Sequence, residues 1–256
     1  MLRRRLRRQA RPFLCQERGE VSLHFGMQAL QSRMLAADPN RLVLDYTRAV
    51  MSFLLVHPEP RHIVMIGLGG GSLAKYCHAY LPRARFTAVE INPEVIAMRG
   101  LFAVPPDDER FAVVEGDGMQ WVREHPDGCD VLLLDGFDSG GLPDALSSQQ
   151  FYDDCARALC PGGILVSNLW APPRKRDLAI ERLRASFESG VVTLDAEQGE
   201  NTVVLARRAP SWPTPDLLHR RARELAPQHA LDLQAAARRL EDALLGARLD
   251  DDTNAS

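Results

Sequence analysis

The sequence has few cysteines, only two lysines and no apolar run that approaches the length of a membrane span. Its five cysteines show neither the spacing of metal ligands nor the dense, even pattern of a disulfide scaffold. We therefore expect reduced thiols and no bound metal. The first residues also lack the apolar middle of a secretory signal, so we predict a cytoplasmic protein that does not associate with membranes.

The sequence also lacks an excess of charge of either sign, since its formal net charge is −3 at pH 7. No overall field draws the molecule toward nucleic acid, and a nucleic-acid partner is not expected. The exception is local, because six of the first eleven residues are arginines. At this density like charges repel and cannot build a core, which favours a disordered, solvated tail. The alternative is a basic arm for RNA or anionic lipid.

Short apolar runs alternate with amphipathic stretches from His62 onward, and this alternation predicts parallel strands joined by crossover helices. The predicted strands are His62–Ile66, Phe86–Glu90, Phe111–Val114, Val131–Asp135 and Ile164–Asn168. The predicted helices are Ser72–Tyr80, one that opens at Asn92-Pro93, Ser148–Leu159 and Arg176–Glu188. The third and fourth strands are uniformly apolar, so we expect helices on both of their faces. Two last strands, near Val191–Leu194 and Thr202–Ala206, are expected to form an antiparallel hairpin at the sheet edge.

A chain of 256 residues that is 45% hydrophobic suits one α/β domain with short appendages. We divide it into a basic tail at 1–20, a small N-terminal cap at 21–60 and a Rossmann-like cofactor-binding domain at 61–208. A C-terminal helical extension at 209–256 completes the chain, with two amphipathic helices predicted within Asp216–Leu249.

The turn from Gly67 to Ser72 lies between a predicted strand and a predicted helix. Glycines there allow positive φ and a close approach of the backbone to a ligand, which makes Gly67, Gly69 and Gly71 candidate cofactor-binding residues. Glu90 stands at the tip of the second strand, where a carboxylate can accept both ribose hydroxyls of an adenosine cofactor. Together these features indicate a nucleoside ligand, but they do not distinguish NAD from S-adenosylmethionine.

Two further acids follow strand ends, the place where open α/β sheets bind ligands. Asp117, next to Gly118, ends the third strand and favours S-adenosylmethionine over NAD, although a helix N-cap is an equal explanation for it. Asp135 ends the fourth strand, and Asp138 follows three residues later. Such a pair can hold a diamine, with one carboxylate near an attacking amine and the other on a distal ammonium. The alternative is a solvated turn rich in Asp and Gly.

Four motifs, taken together, carry a resemblance to a known family. They are Val89-Glu90-Ile91-Asn92, Gly116-Asp117-Gly118, Asp135-Gly136-Phe137-Asp138 and the pair Phe151-Tyr152. From His57 through Leu169 the chain resembles the spermidine synthase (polyamine aminopropyltransferase) family, and it is identified as a divergent member. The corresponding family motifs are VEID, GDG, DSSDPxGPA and a Phe-Tyr pair, and they follow a GGGDGG turn.

The resemblance implies a Rossmann-like S-adenosylmethionine-dependent methyltransferase fold with a small N-terminal cap and C-terminal helices. It also implies transfer of an aminopropyl group from decarboxylated S-adenosylmethionine to a polyamine. Glu90 would then bind the ribose, Asp117 the adenine amine, Asp135 would be the catalytic acid–base residue, and Asp138 and Gln31 would bind the substrate. The implied cofactor set is Gly67, Gly69, Gly71, Glu90, Asp117 and Gly118. We further expect a small-molecule amine acceptor and a homodimer.

The chain departs from the family at two places that bear on function. The acid of the GGGDGG turn, which grips the amine of the aminopropyl group in the family, is Gly70 here, and the family's tyrosine-histidine-glutamate is Asp45-Tyr46-Thr47. Two alternatives therefore stay open. One is a methyltransferase that uses intact S-adenosylmethionine on a small molecule, and the other is a cofactor-binding homologue without turnover.

Overall fold

The N-terminal part of the chain forms a three-stranded antiparallel sheet in a computed structural model that describes residues 11–25, 29–137, 141–187, 190–196 and 201–254. Its strands are β1 (Pro12–Glu17), β2 (Glu20–Phe25) and β3 (Ala29–Leu35). The prediction of a disordered tail is therefore wrong for residues 12–20. Arg18 and Gly19 both have positive φ and form a tight turn that pairs β1 with β2 in spite of the local charge. Residues 1–10 lie outside the described residues.

Two short helices, α1 (Asp45–Val50) and α2 (Phe53–Val56), lead from this sheet into a second sheet of seven strands. Its strands are β4 (His62–Ile66), β5 (Arg85–Glu90), β6 (Phe111–Glu115), β7 (Cys129–Leu134), β8 (Leu159–Leu169), β9 (Val191–Asp195) and β10 (Thr202–Arg207). Their order is β6-β5-β4-β7-β8-β10-β9, with the first five parallel and the last two antiparallel. The parallel sheet and the antiparallel hairpin at its edge are both confirmed.

Helices connect the parallel strands as expected. They are α3 (Ser72–Tyr80), α4 (Pro93–Met98), α5 (Gly118–Glu124) and α6 (Gln149–Ala158), and α7 (Pro173–Ser186) leads from β8 to the hairpin strand β9. The starts of α4 and α6 follow from side-chain caps, because Asn92 accepts a hydrogen bond from the Glu94 amide and Ser148 accepts one from the Phe151 amide. Pro93 occupies the first turn of α4, where its missing N–H leaves no hydrogen bond unmade.

The central strands are buried on both faces, and alternate residues belong to two separate cores. Ile63 and Met65 of β4 pack with the N-terminal sheet, α1–α3 and the C-terminal helices, whereas Val64 and Ile66 pack with α5–α7. The expectation of two covered faces holds for β7, whose six residues are all buried. It is wrong for β6, because this strand lies at the sheet edge and leaves Val114 41% exposed.

The C-terminal extension forms two helices, α8 (Pro215–Leu225) and α9 (Leu233–Asn254), which pack on the same face as the N-terminal sheet. Both helices were expected, although α9 continues past the predicted end at Leu249. Their buried residues include Leu218, Leu233 and Leu240, each at most 2% exposed. Within the described ranges, every helix is too short or too polar to cross a bilayer.

Candidate active site

A cavity of about 480 Å³ opens at the carboxyl ends of the parallel strands. We call it the strand-end cavity. Its lining includes Gln31, Gly67, Gly69, Glu90, Asp117, Gly118 and Asp135. Seven candidate site residues, drawn from β3 and from the ends of β4, β5, β6 and β7, thus meet at one place. Gly71 does not line the cavity but caps the N-terminus of α3, and Asp138 lies outside the described residues.

The glycine turn requires glycine at the positions where the backbone is most strained or crowded. Gly67 and Gly69 have φ of 96° and 54°, in the left-handed region that glycine favours. A Cβ atom at Gly67 would also lie 2.5 Å from the Asp135 carbonyl oxygen. Glycine therefore lets the turn after β4 approach the loop after β7, and this close approach forms one wall of the cavity.

Glu90 is 7% exposed and is fixed by backbone amides. Its Oε2 accepts a hydrogen bond from the Leu68 amide, and its Oε1 accepts one from the Asn92 amide, both at 2.8 Å. Burial raises the pKa of Glu90, and these hydrogen bonds act in the opposite direction. The Ile91 and Gly69 amides lower the pKa as well, so backbone amides hold this carboxylate on the cavity wall.

Asp117 has the structural role that was weighed as its alternative explanation. It is the N-cap of α5, and its Oδ1 accepts a hydrogen bond from the Met119 amide at 3.0 Å. It also lines the cavity. The next residue, Gly118, packs so tightly on Ile66 that a side chain there would collide with it.

Asp135 is a partly buried carboxylate held by two neutral donors. Tyr46 of α1 donates from its hydroxyl to Oδ2 at 3.2 Å, and Asn168 near the end of β8 donates from Nδ2 to Oδ1 at 2.9 Å. Burial raises the pKa of Asp135, while the hydrogen bonds from Asn168 and Tyr46 lower it. The carboxyl therefore holds a proton more readily than a free aspartate does, and its position allows it to meet a ligand in the cavity.

Charge in the cavity is predominantly negative. Glu90, Asp117, Asp135 and Asp144 contribute carboxylates, and among the described residues that line the cavity Lys175 is the only basic one. Lys175 Nζ lies 2.7 Å from Asp144 Oδ1, so its charge is offset by that pair. The remaining field favours a cationic ligand.

The missing acid at position 70 has a steric explanation. Gly70 does not have positive φ, but a Cβ atom there would lie 2.5 Å from Ser32 Oγ and 2.9 Å from Cδ1 of Phe102. Ser32 belongs to β3, is 5% exposed and lies 3.3 Å from the Ser72 hydroxyl. Serine hydroxyls of the cap and the turn therefore occupy the space beside Gly70.

Three polar residues at the site were not predicted from the sequence: Lys175 lines the cavity, and Tyr46 and Asn168 hold Asp135. In the sequence, Tyr46 stands out only as a departure from the family motif. Lys175 lies in a helix far along the chain, and no motif marks it. Asn168 did have a signal, because it ends the predicted fifth strand. The rule that selected Asp117 and Asp135 applies equally to it.

Comparison with known proteins agrees with this geometry. The family described as "Spermine/spermidine synthase domain" matches residues 44–186. A polyamine aminopropyltransferase from Chromobacterium violaceum is 42% identical over 228 residues, which cover 88% of this chain and 87% of that protein.

Two solved structures are similar at lower identity. A probable spermidine synthase from Corynebacterium glutamicum has a TM-score of 0.68 at 20% identity, covering 82% of this chain and 83% of that one. A spermidine synthase in complex with the transition-state analogue AdoDATO has a TM-score of 0.66 at 19% identity, covering 90% and 84%.

The fold first defines a class, the Rossmann-like α/β fold of S-adenosylmethionine-dependent methyltransferases and spermidine synthases, as predicted. Within that class the chain belongs to the spermine/spermidine synthase family. Across the described residues, no group of three or more His, Cys, Asp or Glu side chains is arranged to hold a metal ion.

Proposed function

We propose that this protein transfers an aminopropyl group from decarboxylated S-adenosylmethionine to a polyamine acceptor. The observation that carries the proposal is the carboxylate of Asp135, which faces the same cavity as Glu90 and is held there by two neutral hydrogen-bond donors. One end of the cavity then suits a nucleoside, and the other suits an amine. The family and the relative from Chromobacterium violaceum, named a polyamine aminopropyltransferase, support the same reaction.

The nucleoside end is assigned to the carboxylates that line the cavity beyond β5 and β6. Glu90 would accept the two ribose hydroxyls, and Asp117 would accept the adenine amino group. The turn at Gly67 and Gly69 would let the cofactor pass close to the backbone. These roles follow from the position of each residue at the cavity and from the resemblance to the family.

The reaction is an in-line displacement at the carbon next to the sulfonium. The acceptor nitrogen forms a bond to that carbon, the carbon–sulfur bond breaks, and its electron pair stays on sulfur, which leaves methylthioadenosine. The nitrogen then carries a proton that it must lose. An alkyl ammonium has a pKa near that of lysine, about 10.4, so a carboxylate that accepts this proton or orients the free amine assists the step. Asp135 is the residue to which we assign that role, and Gln31 and Asp138 are proposed to bind the substrate.

The second candidate is a methyltransferase that uses intact S-adenosylmethionine, and the cavity contains an observation in its favour. The glycine turn that lines the cavity lacks, at position 70, the carboxylate that would repel the carboxylate of the intact cofactor, and Lys175, although paired with Asp144, lies in the lining. We prefer aminopropyl transfer because the remaining carboxylates suit a substrate with several positive charges. The homodimer and the cytoplasmic location remain predictions.

Isothermal titration with the two sulfonium compounds, followed by mass spectrometry of products with putrescine, tests the proposal. We expect binding of the decarboxylated form and the appearance of spermidine together with methylthioadenosine. Methylated product from the intact form would support the second candidate. Binding without any product would indicate a homologue without turnover, and either result would overturn the proposal.

A further inference from the structure

A chain of hydrogen bonds extends from Asp135 away from the cavity. Asn168 Nδ2 donates to Asp135 Oδ1, and Asn201 Nδ2 in turn donates to Asn168 Oδ1, each at 2.9 Å. Asn168 is 2% exposed, so its amide lacks bulk water as a substitute partner. The two asparagines therefore form one connected unit with the carboxylate.

The topology of the sheet explains why Asn201 reaches this place. β10 runs antiparallel to β8, and Thr202 pairs with Leu169. The start of β10 thus lies at the edge where the parallel strands end. Asn201, the residue before β10, arrives beside Asn168 from the opposite chain direction.

The amide of Asn168 can present either its NH₂ group or its oxygen to Asp135, and the two choices have opposite effects. An ionised carboxylate only accepts hydrogen bonds, so it is stabilised by the NH₂ group and repelled by the oxygen. Asn201 donates to the oxygen of Asn168 and thereby holds that oxygen away from Asp135. We propose that Asn201 is a positioning residue that fixes the amide orientation of Asn168 and so keeps Asp135 ionised for the reaction.

The expected effect of Asn201 on catalysis rests on the proposed function. Its expected effect on the pKa of Asp135 does not. Tyr46 is the titratable group in direct contact with Asp135, and Glu90, Asp117, Asp144 and Lys175 line the same cavity. Asn168 and Asn201 do not titrate. Burial raises the pKa of Asp135 and the Asn168 hydrogen bond lowers it, so the loss or reversal of that bond raises the pKa further.

Asn201→Leu gives the sharpest test because it removes the donor without adding charge. Asn201→Asp preserves shape and reverses hydrogen-bonding character, but its negative charge also raises the pKa of Asp135 by repulsion alone. A carboxylate at 201 accepts only, so Asn168 turns its NH₂ group toward it and its oxygen toward Asp135. We expect the pKa of Asp135 to rise in both variants, by about one unit or more in Asn201→Asp, which is the scale of a hydrogen bond to a charged group. Asn201→Ser, which keeps a small hydroxyl donor, is expected to produce a smaller rise. The matched control is Thr202→Val, which loses the hydrogen bond to Asp195 at the same strand start and has no bond to Asn168.

The pKa of Asp135 is measured by infrared titration of its carboxyl band, with Asp135→Asn in each background as the reference. This readout needs no turnover. The pH dependence of kcat is measured in parallel, and its acid limb should move to higher pH in the order Thr202→Val, Asn201→Ser, Asn201→Asp. An unchanged Asp135 titration in Asn201→Leu, whatever Asn201→Asp shows, or an equal shift in Thr202→Val, overturns the inference. If the titration shifts but the wild type makes no aminopropyl product, the proposed function fails and the positioning role stands.

Discussion

At the scale of single residues, Glu90 has a structural task, and we propose a ligand-binding task for the same carboxylate. Backbone amides, including those of Leu68 and Asn92, hold it, and it lines the cavity. Glu90→Gln converts one oxygen into a donor. We expect it to weaken methylthioadenosine binding by about 1.5–3 kcal/mol, the usual range for hydrogen bonds to a charged group.

Isothermal titration with methylthioadenosine checks this expectation, and circular dichroism shows whether the fold is kept. Glu115 provides a matched control, because it ends the neighbouring strand β6 and is exposed outside the cavity lining. Glu115→Gln should bind as the wild type does. Equal affinities of wild type and Glu90→Gln would remove Glu90 from the nucleoside site.

Asp135→Asn should raise the stability of the protein and abolish its activity. Since burial raises the pKa of Asp135, the folded state holds its proton more tightly than the unfolded chain. The stabilising contribution is therefore present below the unfolded pKa of about 3.9, and it is lost as pH rises through the folded value. Above the folded pKa the ionised carboxylate opposes folding, so the neutral amide is expected to raise the Tm there while it abolishes proton acceptance and turnover.

Thermal unfolding at about pH 8 and about pH 4 measures this effect, with spermidine formation assayed on the same preparations. The gain in Tm should be larger at the higher pH. A variant that retains near-normal turnover would show that Asp135 has a structural role only, and a lower Tm at both pH values would contradict the stated cost of its charge.

The site was only partly predictable from the sequence, because its residues reach the cavity from different kinds of element and from opposite strand directions. Glu90, Asp117 and Asp135 all follow parallel strands, so one rule about strand ends brings them together. Asn201 precedes an antiparallel strand and arrives at the same edge by the opposite route. Tyr46 comes from a helix outside the sheet, so the rule about strand ends does not apply to it.

At the scale of elements, the most accurate predictions concern segments whose ends are marked by local chemistry. β4 and α3 have the predicted bounds, because the glycine turn separates them, and α6 begins at its Ser148 cap. The errors concern tertiary position. β6 is as apolar as β7, yet its place at the sheet edge depends on strand order, which its own residues do not encode.

The contact between the glycine turn and β3 leads to a prediction about cofactor choice. Without a carboxylate at position 70, wild type should prefer the decarboxylated cofactor by much less than the roughly hundredfold that about 2.7 kcal/mol of charge pairing gives. Gly70→Asp alone should not restore the preference, because its Cβ atom would collide with Ser32 and Phe102. Overpacking of this kind costs about 1–3 kcal/mol.

The double variant Gly70→Asp/Ser32→Gly removes the collision with the serine and should recover part of the lost stability. Competition binding of the intact and decarboxylated cofactors then tests specificity, with Ser32→Gly as the matched control. We expect a clear preference for the decarboxylated form in the double variant alone. A single Gly70→Asp variant with wild-type Tm and a strong preference would show that the turn accommodates the side chain.

At the scale of the whole molecule, the two ends of the chain cover one face of the central sheet. The N-terminal sheet and the C-terminal helices contribute to the same core, whereas α5–α7 cover the other face. The segment between α8 and α9 is attached to α3 by a polar contact inside this core. There His229, 6% exposed, lies with its Nδ1 3.0 Å from the Tyr76 hydroxyl.

This contact should make the stability of the protein depend on pH near neutrality. Burial lowers the pKa of His229 from its usual 6.5, and it lowers those of His57 and His62 as well. The unfolded chain therefore binds protons that the folded state resists. The contribution of these histidines to the free energy of unfolding is fully present above their unfolded pKa. It is lost as pH falls below about 6.5 toward their folded pKa values. We expect the Tm to be lower at about pH 5.5 than at about pH 7.5.

The contribution of His229 can be isolated by removing both partners of its hydrogen bond. Tyr76→Phe/His229→Phe keeps two packed rings and leaves no buried polar group unpaired, so its Tm at about pH 7.5 should lie near the wild-type value. Because residue 229 no longer titrates, the double variant should lose less stability on acidification, and the slope that remains reports His57, His62 and the carboxyls whose pKa burial raises, Glu90 and Asp135. His229→Phe alone leaves the Tyr76 hydroxyl without a partner, and it should be less stable than the double variant at both pH values. Equal pH slopes in wild type and the double variant would show that His229 does not couple the C-terminal extension to pH.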